Sequence, residues 1–140
     1  MNNELLFQME MPADIACLQT LGATIHALLG RINGLAERDT LSYNIQLAVH
    51  EVCVNMIEHA YGGRLTGRIA VAISLLSSPR RLCIEMRDQG EPFDIDAVPA
   101  PNLNQPQVRG YGLFLIRELM DTVTYTILPD ANVWQLVKHL

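Results

Sequence analysis

Glu51, Asn55 and His59 stand four residues apart in HEVCVNMIEHAYGG, positions 50 to 63. In a helix that spacing sets a carboxylate, a carboxamide and an imidazole on successive turns of one strip. A carboxylate so placed can accept a proton, and an amide oxygen can meet a hard cation. At about 100° per residue, Ile45, Val49, Val52, Cys53, Met56 and Ala60 gather on one side. Asn44, Glu51, Asn55 and Glu58 gather on the other, with His59 at the border. By spacing alone, a solvated polar face is the simpler account of these side chains. A zinc protease helix is excluded, because H-E-x-x-H would need its second histidine where Val54 stands, and His50 and His59 project far apart.

Two further stretches could do chemistry. In RDQGEPFD, Asp88 leaves an apolar run, Gly90 permits a tight backbone path and Phe93 offers an apolar face. A carboxylate at a strand end can accept a hydrogen bond from an exocyclic amine, and a glycine beside it lets a flat ring approach the backbone. D-x-G is also an ordinary turn. In RGYGLFLIREL, Gly110 and Gly112 stand where a loop becomes a helix, and the unpaired N–H groups of a helix start suit phosphate oxygens. The G-x-x-x-x-G-K-[ST] pattern of a P-loop is absent.

The elements that must position these residues follow from periodicity. Leu5 to Met11 alternates as an opening strand, and Pro12 with Asp14 can start a helix running toward about Gly34. Asp39 or Thr40 can cap a second helix that takes in Glu51, Asn55 and His59 and stops at Gly62-Gly63. GRIAVAISLLSS and RRLCIEMRD form a hairpin about a Ser-Ser-Pro turn. From Gln89 to Arg109 four prolines exclude regular structure, the pattern of a lid or linker. GYGLFLIRELMD is a third helix, and VTYTIL with NVWQLVKHL a closing hairpin. This order implies an α+β two-layer sandwich, with helices on one face of a mixed, mostly antiparallel sheet, and not a Rossmann alternation.

Composition narrows the function class. The chain has 140 residues, 49% hydrophobic and 18% charged, which suits one domain, 1–140, with a real core. Net charge is −5 and the ten Lys and Arg are scattered, so direct binding to nucleic acid is not expected. Cys17, Cys53 and Cys83 form no C-x-x-C and read as core thiols of a reducing compartment. No stretch approaches the ~20 apolar residues of a membrane span, and the expected location is the cytoplasm.

Together the three stretches are more specific than any one. E-x-x-x-N-x-x-x-H-A-Y, D-x-G-x-P-F-D and G-x-G-L-x-L-I-x-x-L-M-D, in this order, resemble the N, G1 and G2 boxes of the GHKL, or Bergerat, ATP-binding fold. The short chain, the HAY ending and FLIRELMD are most similar to the anti-sigma serine kinases of the RsbW and SpoIIAB type, and the resemblance covers about Glu4 to Leu140. It implies that Asn55 holds a Mg²⁺ on the phosphates of ATP or ADP and that Glu51 is the general base. It also implies that Asp88 reads the adenine amine, that Gly90 and Phe93 line the base pocket, and that Gly110, Gly112 and Leu113 cradle phosphate. Arg109 is the nearest cation for the terminal phosphate, although a solvated loop arginine reads as well. His59 and Tyr61 match the pattern and are expected to fix the helix end rather than react.

Relatives carry an adenine-fixing threonine in the final strand, where alignment places Val137, and the segment from Pro99 to Val108 has no charged side chain. Both features imply weakened ATP affinity. The function so implied is an ATP-dependent serine kinase and partner-switching regulator. It would phosphorylate a small STAS-type antagonist, sequester a sigma factor or other client, and pair as a homodimer. A nucleotide-binding sequestration module without transfer is the alternative. A histidine kinase fragment has no room for its dimerisation helices.

Overall fold

The computed structural model describes residues 3–64, 66–95, 104 and 111–140. Five runs rich in β-branched and large apolar residues form strands: β1 (Asn3–Pro12), β2 (Arg68–Leu76), β3 (Arg81–Asp88), β4 (Thr122–Ile127) and β5 (Asn132–His139). Their order across the sheet is β1-β2-β3-β5-β4. All four pairings are antiparallel, so the expected mixed sheet has no parallel pair among the described residues. Alternation decides which face each strand buries. Ile69, Val71 and Ile73 of β2, Leu82, Ile84 and Met86 of β3, and Trp134 and Leu136 of β5 form one apolar surface.

Three helices cover that surface: α1 (Leu18–Gly30), α2 (Arg38–Asn55) and α3 (Tyr111–Leu119). Leu21, Ile25 and Leu29 of α1, Ile45, Val49 and Val52 of α2, and Leu113 and Ile116 of α3 are buried in one cluster with the sheet residues. Burying such side chains contributes about 1.5–3 kcal/mol each. The first helix differs from expectation at both ends. Asp14 caps a short 3-10 turn, Ile15–Cys17, by accepting from the Ala16 N–H at 3.0 Å, and the α-helix proper stops at Gly30. The guanidinium of Arg38 donates to the Leu29 carbonyl in the last turn of α1 and to the Ile32 carbonyl just beyond it, and so ties α1 to the start of α2.

The start of α2 also departs from the sequence reading. Neither Asp39 nor Thr40 caps it. The N-cap is Glu37, in the left-handed region at φ 49°, with no side-chain capping bond, and Asp39 lies in the first turn. Favourable charge near the positive helix end takes the place of a hydrogen-bonded cap. At its far end α2 runs into one π-helical turn, Met56–Ala60, and the chain leaves it through Gly62 and Gly63 at φ 58° and 78°. The Cys53 thiol is 0% exposed, and burial pushes it up to about 12, so it packs as a neutral core group. Among the described residues no helix is long and apolar enough to cross a membrane.

Candidate nucleotide site

The polar strip of α2 does not simply face solvent. Glu51 and Asn55 are half-buried, because α3 packs across them. The approach is closest at Gly112, in the first turn of α3. A Cβ on Gly112 would lie 3.0 Å from Glu51 Oε2, 3.7 Å from Asn55 Oδ1 and 3.9 Å from Asn55 Nδ2. Glycine there lets the start of α3 approach the Glu51 and Asn55 side chains this closely. The Asn55 Nδ2 atom is buried without a hydrogen-bond partner among the described residues. A buried orphan amide costs about 1–3 kcal/mol, so this group calls for a partner from outside the described residues. The carboxamide can present either its oxygen or its nitrogen to a ligand, and its oxygen, with the small Gly112 opposite, fits a hard cation carrying phosphate oxygens.

The second wall is the end of β3. Asp88 is 2% exposed and closes the β3–β5 ladder opposite Asn132. Its Oδ1 accepts from the Gly90 N–H at 3.0 Å and from Asn132 Nδ2 at 2.8 Å, which leaves Oδ2 able to accept. Burial pushes the Asp88 carboxyl above the usual carboxylate range, while the bonds from Asn132 and the Gly90 N–H pull it back. Gly90 is required by packing: a Cβ there would sit 2.2 Å from the Ala60 carbonyl oxygen. That oxygen, at the end of the π turn, accepts from the Glu91 N–H at 2.8 Å. The irregular turn thus fastens the end of α2 to the D-x-G loop.

Tyr61 completes the fastening. Its hydroxyl donates to the Arg68 carbonyl at 2.5 Å and accepts from the Gln89 N–H at 2.9 Å, joining the helix end, the start of β2 and the residue after Asp88. Its ring fills the space over Gly67, where a Cβ would meet it at 2.5 Å. Tyr61→Phe should leave the fold intact but cost about 2 kcal/mol by orphaning both backbone groups. A lower urea midpoint with an unchanged slope is the expected signature.

Phe93 is held in an aromatic row. Its ring lies 5.6 Å from that of His59, 6.1 Å from that of Tyr125 and 6.1 Å from that of Trp134, and its N–H donates to the Tyr125 hydroxyl at 2.9 Å. His59 is therefore a stacking partner at the helix end, and Tyr61 fixes that end by hydrogen bonds. Three site residues escaped the sequence reading: Asn132, Tyr125 and Trp134. Nothing local marks them, since only the strand register brings β4 and β5 against Asp88 and Phe93.

The register also corrects one reading. Val137 pairs with Cys83 and alternates onto the face away from Asp88, and the β5 residue opposite Asp88 is Asn132. The inference of weak nucleotide affinity from Val137 therefore loses its basis. Leu113 is buried beneath the first turn of α3. Arg109 and Gly110, with the uncharged segment from Pro99 to Val108 except Asn104, lie outside the described residues.

The α2–α3 pair that carries Glu51 and Asn55, and the strand-end carboxylate fastened to the end of α2, thus lie on one face of an antiparallel sheet. A family model described as a histidine kinase-like ATPase domain matches residues 11–138. This chain belongs to that family. Histidine kinase-like ATPase domains use nucleotide, and the present one is similar to several serine-protein kinases. It is 31% identical to the serine-protein kinase RsbW of Bacillus velezensis over 104 residues, covering 66% of this chain and 64% of that one. To the RsbW of Bacillus pumilus it is 30% identical over 126 residues, covering 84% and 76%. It spans a little under two thirds of the Bacillus velezensis relative. Among solved structures, the RsbU and RsbW domains of a Mycobacterium tuberculosis protein superpose with a TM-score of 0.66 at 18% identity. That match covers 96% of this chain and 32% of the other, a likeness of fold.

Proposed function

We propose that this ATPase domain is a protein serine kinase that binds ATP between α2, α3 and the end of β3. In this reading it transfers the terminal phosphoryl group to a serine of a small partner protein. The observation that carries the reading is the close approach of Gly112 to Glu51 Oε2 and to Asn55, whose buried Nδ2 has no partner among the described residues. Asn55 would hold Mg²⁺ there, and the ion, when bound, would neutralise phosphate charge. Glu51, one turn earlier on α2, orients and deprotonates the attacking hydroxyl, as phosphoryl transfer needs chiefly positioning and charge stabilisation. Asp88 accepts from the adenine amine through Oδ2, Gly90 admits the base and Phe93 covers it. Gly112 and Leu113 lie in the first turn of the helix whose N–H groups would take phosphate oxygens, and Gly110 would add its own. Arg109, close before them in sequence, would meet the terminal phosphate.

The likeness to RsbW supports a switch built on this chemistry. The domain would phosphorylate a STAS-type antagonist and, when unmodified antagonist is scarce, sequester a sigma factor or another client, as a homodimer in the cytoplasm. Incubation of the purified protein with Mg-ATP and its antagonist should yield phosphoserine. Partner binding without transfer, under any metal or nucleotide, would instead select the sequestration module.

A further inference from the structure

We infer that Asn132 is a positioning residue for nucleotide recognition: its carboxamide clamps the Asp88 carboxylate against the Gly90 carbonyl and keeps that carboxylate in its acceptor-only form. The inference rests on the adenine reading of Asp88. Asn132 is 4% exposed and stands at the first position of β5, directly opposite Asp88. Its Nδ2 donates to Asp88 Oδ1 at 2.8 Å and to the Gly90 carbonyl at 3.0 Å, so both amide hydrogens are spent inside the site. A hydroxyl side chain has one hydrogen and could serve only one of these acceptors.

The chemistry makes this more than a structural tie. An exocyclic amine donates, so the carboxyl that reads it must be ionised; a protonated carboxyl would oppose donor with donor. Burial works against ionisation, and among the described residues no cation pairs with Asp88. Arg87, next in sequence, bonds Glu85 on the other face of β3. The titratable groups facing the site from the packed elements are Tyr125 of β4, Tyr61 at the helix end and His59 against Phe93. None brings a bond to the carboxylate. The neutral donors Asn132 Nδ2 and the Gly90 N–H therefore do what an ion pair does elsewhere, and of the two only Asn132 is a side chain.

The consequence is a pH dependence set by Asn132. ADP affinity of the parent protein should weaken toward acid pH as Asp88 takes up a proton. In Asn132→Leu the weakening should begin at higher pH, leaving ADP about tenfold weaker than in the parent near about pH 6, with the gap narrowing toward about pH 8.5. Asn132→Asp, which sets two carboxyls side by side, should move the onset further in the same direction. IDP carries a carbonyl in place of the amine and can accept from a protonated Asp88, so the preference for ADP over IDP should fall with pH, and sooner in both variants.

Calorimetric titration of the intact protein with ADP and IDP across this range, with melting curves on the same samples, tests the inference. An equal loss at every pH, or an onset identical to the parent's, overturns it and leaves Asn132 as a packing residue. Should Asn132→Leu fail to fold, the isosteric Asn132→Asp decides by the same criteria. Asp88→Asn separates the underlying reading: unchanged ADP affinity there removes the adenine site itself, whereas lost affinity with unshifted Asn132 profiles removes only the inference.

Discussion

Glu51→Ala should reduce phosphoryl transfer to the antagonist by about 10²–10⁴-fold while ADP affinity changes little, because in the proposed role the carboxylate would act on the attacking hydroxyl rather than on the nucleotide. Glu51 is half-buried on the polar strip of α2, and its Oε2 faces Gly112 of α3, so truncation removes a functional group without opening the core. Stability should accordingly stay within about 0.5 kcal/mol of the parent. Phosphoserine formation followed by radiolabel, beside calorimetric ADP binding, checks both halves of the statement. Transfer that persists at the parental rate would remove Glu51 from the role of base.

Asp88→Asn should weaken adenine nucleotide binding by about 100-fold, since the new amide can set a donor against the donating amine and leave both unpaired. Its effect on stability should run the other way. Burial holds the Asp88 carboxyl above its unfolded value, so folding favours the protonated form. Its contribution to stability is therefore complete at acid pH, below the unfolded value, and is lost as pH rises through the folded one. Asparagine carries no such penalty, and its Oδ1 can still accept from Asn132 and the Gly90 N–H. At neutral and alkaline pH the variant should melt at or above the parental temperature, and the difference should shrink on acidification. A variant that loses both nucleotide and stability at neutral pH would mean that the ionised carboxylate is a structural group first.

The chemistry of the site and the list of elements were legible in the sequence because each rests on local information. Helical spacing placed Glu51, Asn55 and His59 on one strip, Gly62-Gly63 marked where that helix stops, and alternation marked the five strands. The motif order carried the family resemblance, and the family model over residues 11–138 agrees with it. What could not be read locally was which side chains meet. Spacing alone made Glu51 and Asn55 a solvated face; the packing of α3 over them, permitted by Gly112, half-buries them against the start of that helix. Alignment assigned the base-fixing position in the last strand to Val137. The β3–β5 register turns Val137 to the other face and sets Asn132 opposite Asp88, because a strand's period of two commits every residue to a face once one pair is fixed. The π turn at Met56–Ala60 has no local signature either, although it aims the Ala60 carbonyl at Glu91 and obliges position 90 to be glycine. Residue types and their spacing along the chain determined what chemistry this domain can hold; strand register and helix packing, which depend on residues far apart in sequence, decided which atoms hold it.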